Sequence, residues 1–177
     1  DSLLSTGEIV GACLLRAALE KVGVKATHLS GYQLGFVTDS QFTRAEIKGL
    51  GSRALRKALK QSDVVVVAGG QALDQNGKMT MLGRNSSDLS AVLVAAALRL
   101  KEVEILSDVP GVYSADPYVV SDARLVPEIP YDALIVMSES GAKVLHHGSV
   151  RAAKKYGVKI VCRSTRDFQV GTIVGEG

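Results

Sequence analysis

Asp63-Val64-Val65-Val66-Val67-Ala68-Gly69-Gly70 is the stretch on which the fold turns. Four consecutive valines are apolar on both faces of an extended chain, which is the pattern of a strand in a parallel sheet covered on both sides. The glycine pair ends it. Working outward toward the start, Ser52 to Gln61 reads as a helix with its basic residues exposed, and Val24 to Leu29 as another strand. From Gly7 to Val22, Ile9, Val10, Cys13, Leu14, Ala17 and Ala18 recur at helical steps and Gly23 supplies a stop, while Asp1 to Ser5 reads as the end of a loop or strand. In the other direction, Asn76-Gly77 signals a hairpin. Ser87 to Lys101 then reads as an alanine-rich helix, Val103 to Leu106 as a strand, Tyr131 to Glu139 and Ala142 to Tyr156 as helices, and Val158 to Cys162 and Thr172 to Val174 as the last strands.

Strands alternating with helices imply an α/β fold, a three-layer αβα sandwich with a mostly parallel central sheet. In that class ligands sit at the carboxyl ends of the strands, which directs attention to the loops Gly69 to Asp88 and Ser107 to Asp116. A chain of 177 residues, 46% apolar, buries one good core and is expected to form a single compact domain. The 21 basic residues exceed the 18 acidic ones by three and are scattered, which argues against a nucleic-acid or membrane partner. Cys13 and Cys162 lie in apolar runs without metal-ligand spacing, the usage of reduced thiols in the cytoplasm. No unbroken run approaches the ~20 apolar residues of a membrane span. No metal site is expected from the paired His146 and His147, because adjacent helical residues diverge by ~100°.

Four segments carry chemistry, and each also has a purely structural reading. In Leu82-Gly83-Arg84-Asn85-Ser86-Ser87-Asp88 the serines and aspartate can simply cap the helix that follows, or Arg84 and the helix amides can hold a carboxylate or phosphate. In Ser107-Asp108-Val109-Pro110-Gly111-Val112-Tyr113-Ser114-Ala115-Asp116-Pro117, Pro110-Gly111 makes a type II turn in any protein, while Asp108 and the ring of Tyr113 suit a nucleotide. Lys143 falls in the first turn of an expected helix, where a cation is mismatched with the dipole and a phosphate neighbour explains it better than solvent. Glu8, near the start of the first helix, either favours that helix dipole or faces a cleft and accepts a substrate ammonium.

Taken in order, these segments resemble the aspartokinase family, within the amino-acid kinase superfamily, along nearly the whole chain. The family's Leu-Leu-Ser-x-Gly-Glu motif matches Leu3 to Glu8, Gly-Trp-Gln-x-Gly-x-x-Thr-Asp matches Gly31 to Asp39, and Leu-Gly-Arg-Gly-Gly-Ser-Asp matches Leu82 to Asp88. Thr-Asp-Val-Asp-Gly-Val-Tyr-x-x-Asp-Pro-Arg matches Ser107 to Tyr118, and Gly-Ala-Lys-Val-Leu-His stands intact at Gly141 to His146. The resemblance implies an amino-acid kinase (carbamate kinase-like) domain over residues 1–177 that phosphorylates the side-chain carboxylate of L-aspartate with ATP and Mg²⁺, in a homo-oligomer, expected to be a dimer. It implies that Asp88 is catalytic, that Glu8, Arg84, Asn85, Ser86 and Ser87 bind the acceptor, and that Ser107, Asp108, Tyr113, Lys143 and Val144 bind ATP. The alternatives are a relative acting on another acceptor and a non-catalytic nucleotide-binding subunit. Against the family pattern, the leading Lys-Phe-Gly-Gly strand and the ACT regulatory domains are missing, so this chain by itself is expected to be inactive. Asn85-Ser86 replaces Gly-Gly, Ser107 replaces Thr, and Tyr118 replaces Arg.

Overall fold

A computed structural model describes residues 1–140 and 145–176. They fall into two compact units, Asp1–Ser90 and Ala91–Gly177, where the sequence suggests one. The boundary lies inside a helix.

The first unit begins with α1 (Ser2–Lys21), followed by β1 (Ala26–Leu29), a 3-10 turn (Gly31–Leu34), β2 (Val37–Thr38), β3 (Ile47–Gly49), α2 (Arg53–Leu59), β4 (Val64–Val67), β5 (Gln71–Asp74) and β6 (Met79–Met81). The valine run is β4, and it pairs in parallel with β1 from Ala26 opposite Val64 to Leu29 opposite Val67. A second sheet runs in the order β3-β2-β5-β6. Asn76-Gly77 closes the β5–β6 hairpin as expected: Gly77 takes φ 76°, and the Asp74 carboxylate accepts the amides of Asn76 (2.9 Å) and Lys78 (2.8 Å) and the Ser40 hydroxyl (2.7 Å). These bonds, the one from Ser40 first, hold the Asp74 carboxyl below its ordinary pKa.

The sequence misreads α1 at its start. Ser2 to Ser5 is helix, not loop, with Asp1 at the N-cap, where its carboxylate is anchored from afar, accepting the amides of Thr43 and Met81, each at 2.9 Å. Ser5 and Thr6 then return their hydroxyls to the carbonyls three residues back, a local satisfaction that tolerates helix. At 20 residues α1 is also long and apolar enough, by length and composition, to cross a membrane, which no unbroken apolar run in the sequence suggests. One seam of it, including Ser5 and Ala12, is buried where the helix packs on β1, β4 and β6.

The helix α3 (Ser87–Leu98) carries the chain into the second unit and ends where Arg99 turns left-handed, at φ 62°. There β7 (Glu102–Ser107), β8 (Glu128–Pro130), α4 (Tyr131–Glu139), α5 (His147–Tyr156), β9 (Lys159–Ser164) and β10 (Val170–Gly175) build one sheet in the order β7-β9-β10-β8. The β7–β9 and β8–β10 pairs are parallel and the β9–β10 pair is antiparallel. Ile105, Ile160, Cys162, Thr172 and Val174 alternate onto a buried face, and α4 and α5 pack against β8, β9 and β10. The opposite strand positions carry ion pairs, Glu104 with Arg163 at 2.8 Å and Glu102 with Lys159 at 4.0 Å. Tyr131, at the start of α4, donates its hydroxyl to the Val158 carbonyl (2.8 Å), and burial, then the Glu176 charge, raises its pKa. Of the helix expected over Ala142 to Tyr156, α5 forms His147–Tyr156 while Ala142, Lys143 and Val144 lie outside the described residues, and the His146 and His147 rings stack with centroids 4.7 Å apart.

Pro110-Gly111 does not form the expected type II turn, since Gly111 is absent from the left-handed residues. It is glycine because a Cβ there would collide with Thr172. The Thr172 hydroxyl accepts the Val112 amide (2.9 Å) and donates to the Val126 carbonyl (2.7 Å), so this loop is fastened to the middle of the sheet.

Two expectations follow. Gly111→Ala forces Thr172 aside and lowers unfolding free energy by about 1–3 kcal/mol in a urea titration; an unchanged midpoint contradicts the close packing. Asp74 has its pKa lowered from 3.8, so its contribution to stability is present above that value and is lost as pH falls through the lower, folded value. Asp74→Asn therefore flattens the acid limb of the stability profile below about pH 4 while leaving its shape near neutrality unchanged.

Candidate active site

The acceptor residues suggested by the sequence all belong to the first unit, and a pair of glycines organises them. Gly69 and Gly70 follow β4 and are buried. A Cβ on Gly69 would stand 3.0 Å from the Ser87 Cβ and 3.3 Å from a Glu8 carboxylate oxygen, so the glutamate of α1 and the first residue of α3 meet across this glycine. A Cβ on Gly70 would stand 2.9 Å from the Ser86 hydroxyl, and Gly70 itself has φ 72°. Its amide donates to the Ser90 hydroxyl (2.7 Å) and its carbonyl accepts the Leu82 amide (2.9 Å), so the glycine turn is tied at both ends of the Leu82–Ser90 segment.

That tie explains the two departures from the family loop. Asn85 sits at φ 55°, a left-handed conformation that glycine adopts freely and asparagine tolerates better than other side chains. Ser86 is buried, with its hydroxyl donating to the Gly83 carbonyl (2.8 Å) and filling the space that residue 70 leaves empty. The helix-capping reading is thereby narrowed, because the Ser86 hydroxyl is directed back at Gly83 while its carbonyl accepts the Ser90 amide (3.0 Å).

Arg84 is exposed and forms none of the ion pairs among the described residues, leaving its guanidinium available next to the amino end of α3. Ser87 is exposed, and Asp88 is half-buried in the first turn of that helix. Glu8 is exposed on α1, whose position is fixed by Gln71. The buried Gln71 side chain accepts the Gly31 amide (3.1 Å) and donates to the Ser5 carbonyl (2.9 Å), joining α1 to the turn after β1. Gly69, Gly70 and Gln71 lie in the loop Gly69 to Asp88 to which the sequence directs attention, but their individual roles, and that of Ser90, carry no motif and emerge only from the structure.

In the second unit, Ser107 ends β7, and its hydroxyl bonds both ways with Val109, donating to the carbonyl at 2.8 Å and accepting the amide at 3.2 Å. Asp108 is exposed beyond it, and Tyr113 is half-buried in an antiparallel bridge to Leu125. Tyr118, where the family has arginine, is 84% exposed, and its amide caps the Asp116 side chain at 2.9 Å. Lys143 and Val144 lie outside the described residues. Two clefts of 840 and 570 Å³ lie away from these residues: one is lined by Lys101, Lys159 and Tyr131 at the opposite strand ends from Ser107, the other by basic residues of α2. Among the described residues no three His, Cys, Asp or Glu side chains gather as a metal cage.

The sequence matches the model of the Amino acid kinase family over residues 1–164. It is 40% identical over 176 residues to the aspartokinase of Bacillus sp. (strain MGA3), covering 99% of this chain and 43% of that protein. It is 43% identical over 171 residues to the aspartate kinase of Pseudomonas putida, covering 97% of this chain and 41% of that one. The structure is similar to that of E. coli aspartokinase III in complex with aspartate and ADP, with a TM-score of 0.86 at 31% identity, covering 99% of this chain and 40% of that chain. The chain spans less than half the length of the relatives it matches. On the match over residues 1–164 and on its α/β architecture, the chain belongs to the amino acid kinase family.

Proposed function

We propose that this chain is the catalytic part of an aspartate kinase, transferring the γ-phosphoryl group of ATP to the side-chain carboxylate of L-aspartate in the cytoplasm. The observation that carries the reading is the meeting of Glu8 with the Arg84–Asp88 loop across Gly69. An amino-acid acceptor presents an ammonium and two carboxylates, and this edge offers one carboxylate, one unclaimed guanidinium and a helix amino end, which is the complementary set. Glu8 accepts the ammonium, Arg84 grips a carboxylate with its fork, and the backbone and side chains of Asn85 to Ser87 line the site.

The reaction is an in-line displacement. A side-chain carboxylate oxygen bonds to the γ-phosphorus as the bond to the ADP oxygen breaks, and ADP leaves with the electron pair. Positioning supplies much of the rate, because two bound reactants held in line no longer need to find each other. Asp88, fixed in the first turn of α3, orients the transfer machinery, while Ser107, Asp108 and Tyr113, together with Lys143 and Val144, receive the nucleotide. Mg²⁺, when bound with ATP, neutralises phosphate charge.

ADP release, measured in the protein as the cell makes it over aspartate, glutamate and UMP, is expected with aspartate alone. Turnover of UMP without aspartate overturns the proposal. Asp88→Ala lowers kcat by at least about 10²-fold with ATP binding retained by calorimetry, whereas Arg84→Ala chiefly raises KM for aspartate; an unchanged rate in Asp88→Ala removes its role. Gly70→Ala drives a Cβ onto the Ser86 hydroxyl and raises KM for aspartate, and adding Ser86→Gly relieves part of that loss. A double variant no better than Gly70→Ala contradicts the fit between those two residues.

A further inference from the structure

The stretch read as receiving the nucleotide carries carboxylates and no cation. From Ser107 to Tyr118 the chain supplies Asp108 and Asp116 but no Lys or Arg, and Tyr118 stands in place of the family's arginine. A nucleoside triphosphate is strongly anionic, so a site built beside exposed carboxylates needs positive charge from another part of the chain. In the second unit most of the described cations are engaged or remote. Arg151 pairs with Glu139, Lys154 with Asp132 and Arg163 with Glu104, while Arg99, Lys101, Lys155 and Lys159 precede β7 or β9 at the opposite strand ends from Ser107. Arg124 and Arg166 remain, both exposed and in none of the ion pairs among the described residues.

Arg166 lies on the turn that follows β9, and that turn runs beside the loop that follows β7. Ser164, the last residue of β9, is opposite Ser107 in the parallel β7–β9 pair. The Thr165 amide then donates to the Ser107 carbonyl (2.8 Å), and the Ser164 hydroxyl accepts the Arg166 amide (3.1 Å). At the other end of the turn a Cβ on Gly171 would collide with Pro110, as one on Gly111 would with Thr172. Loop and turn are therefore fastened side by side, by the Ser107–Thr165 bond at one end and the packing of Pro110 on Gly171 at the other. The turn itself has a fixed shape: Phe168, at φ 58°, donates its amide to the Ser164 carbonyl (3.0 Å), and its own carbonyl accepts the Arg163 guanidinium (2.9 Å). The neighbouring Asp167 carboxylate accepts the Gln169 amide (3.1 Å), which engages it within the turn.

We propose that Arg166 binds the phosphates of the nucleotide, supplying from the β9–β10 turn the cation that the Ser107–Tyr118 stretch lacks. The inference rests on the reading of Ser107 and Asp108 as nucleotide ligands and adds a residue to that site. Neighbouring strands stand ~4.8 Å apart, so an arginine one residue beyond the Ser107–Thr165 bond reaches a ligand seated on Ser107 and Asp108. Its planar fork offers parallel N–H groups to two phosphate oxygens, and it stays charged at any pH the protein meets. Arg124 is less well placed. Its amide donates to the Ser114 hydroxyl (3.0 Å) and its carbonyl accepts the Ser114 amide (2.8 Å), which puts it beyond Tyr113 and away from Ser107 along the loop.

Calorimetry on the protein as the cell makes it, without aspartate and with ATP, ADP and adenosine in turn, tests the assignment. Arg166→Gln is expected to weaken ATP and ADP by at least about tenfold and to leave adenosine unchanged, because only the phosphates lose a partner. Arg166→Lys recovers part of the loss, since the charge returns without the fork. Arg124→Gln binds all three as the unaltered protein does. The unfolding midpoint of Arg166→Gln does not fall, because the bonds that hold the turn come from the backbone and from Ser164. Undiminished ATP binding by Arg166→Gln, an equal loss for ATP and adenosine, or a loss of ATP in Arg124→Gln and not in Arg166→Gln overturns the proposal. If the unaltered protein releases ADP with aspartate while Arg166→Gln binds ATP normally, this inference alone falls; if the unaltered protein binds no ATP, the kinase reading falls with it.

Discussion

Two adjacent residues without Cβ atoms allow the end of β4 to lie against the first turn of α3, and the first unit is arranged around that approach. Any other side chain at Gly69 would push Glu8 and Ser87 apart, and at Gly70 it would displace Ser86 and strain a left-handed backbone. The bond from the Gly70 amide to Ser90 and the one from Leu82 to the Gly70 carbonyl convert proximity into register. A loop held in this way presents Arg84 and the amino end of α3 at a fixed place, which is the condition under which positioning contributes to catalysis.

The two sides of α1 differ. Its inner seam is fastened through Asp1 to Thr43 and Met81 and through Ser5 to Gln71, so the carboxylate of Glu8 is carried on a rigid element and not on a loop. The outer side is largely apolar and exposed.

Where local chemistry decides the outcome, the sequence could be read directly. The β5–β6 hairpin follows from Asn76-Gly77, the bounds of α4 from its apolar spacing, and the strand β4 from its valines. Arg84, Ser86, Ser87 and Asp88 fall at the start of α3 as their cap-like composition implies. What escaped depends on partners remote in the chain. The start of α1 is set by amides 42 and 80 residues away, and the need for glycine at position 111 is set by Thr172. Gln71 carries no periodic or motif signature, because its role is to satisfy Gly31 and Ser5 at once. The exposed side of α1 was taken for part of an ordinary amphipathic helix, since spacing shows that a residue is apolar but not which of two apolar sides is covered.

The central claim is that an amino acid binds where Glu8 and the Arg84–Asp88 loop meet across Gly69. Titrating L-aspartate into isotopically labelled protein and following amide and guanidinium resonances tests it most directly. The account predicts saturable shifts at Gly69, the Arg84 side chain and the Ser86–Asp88 amides, weakened by Glu8→Gln. Saturable shifts confined to the cleft around Lys101, Lys159 and Tyr131, with Gly69 and Arg84 undisturbed, contradict it.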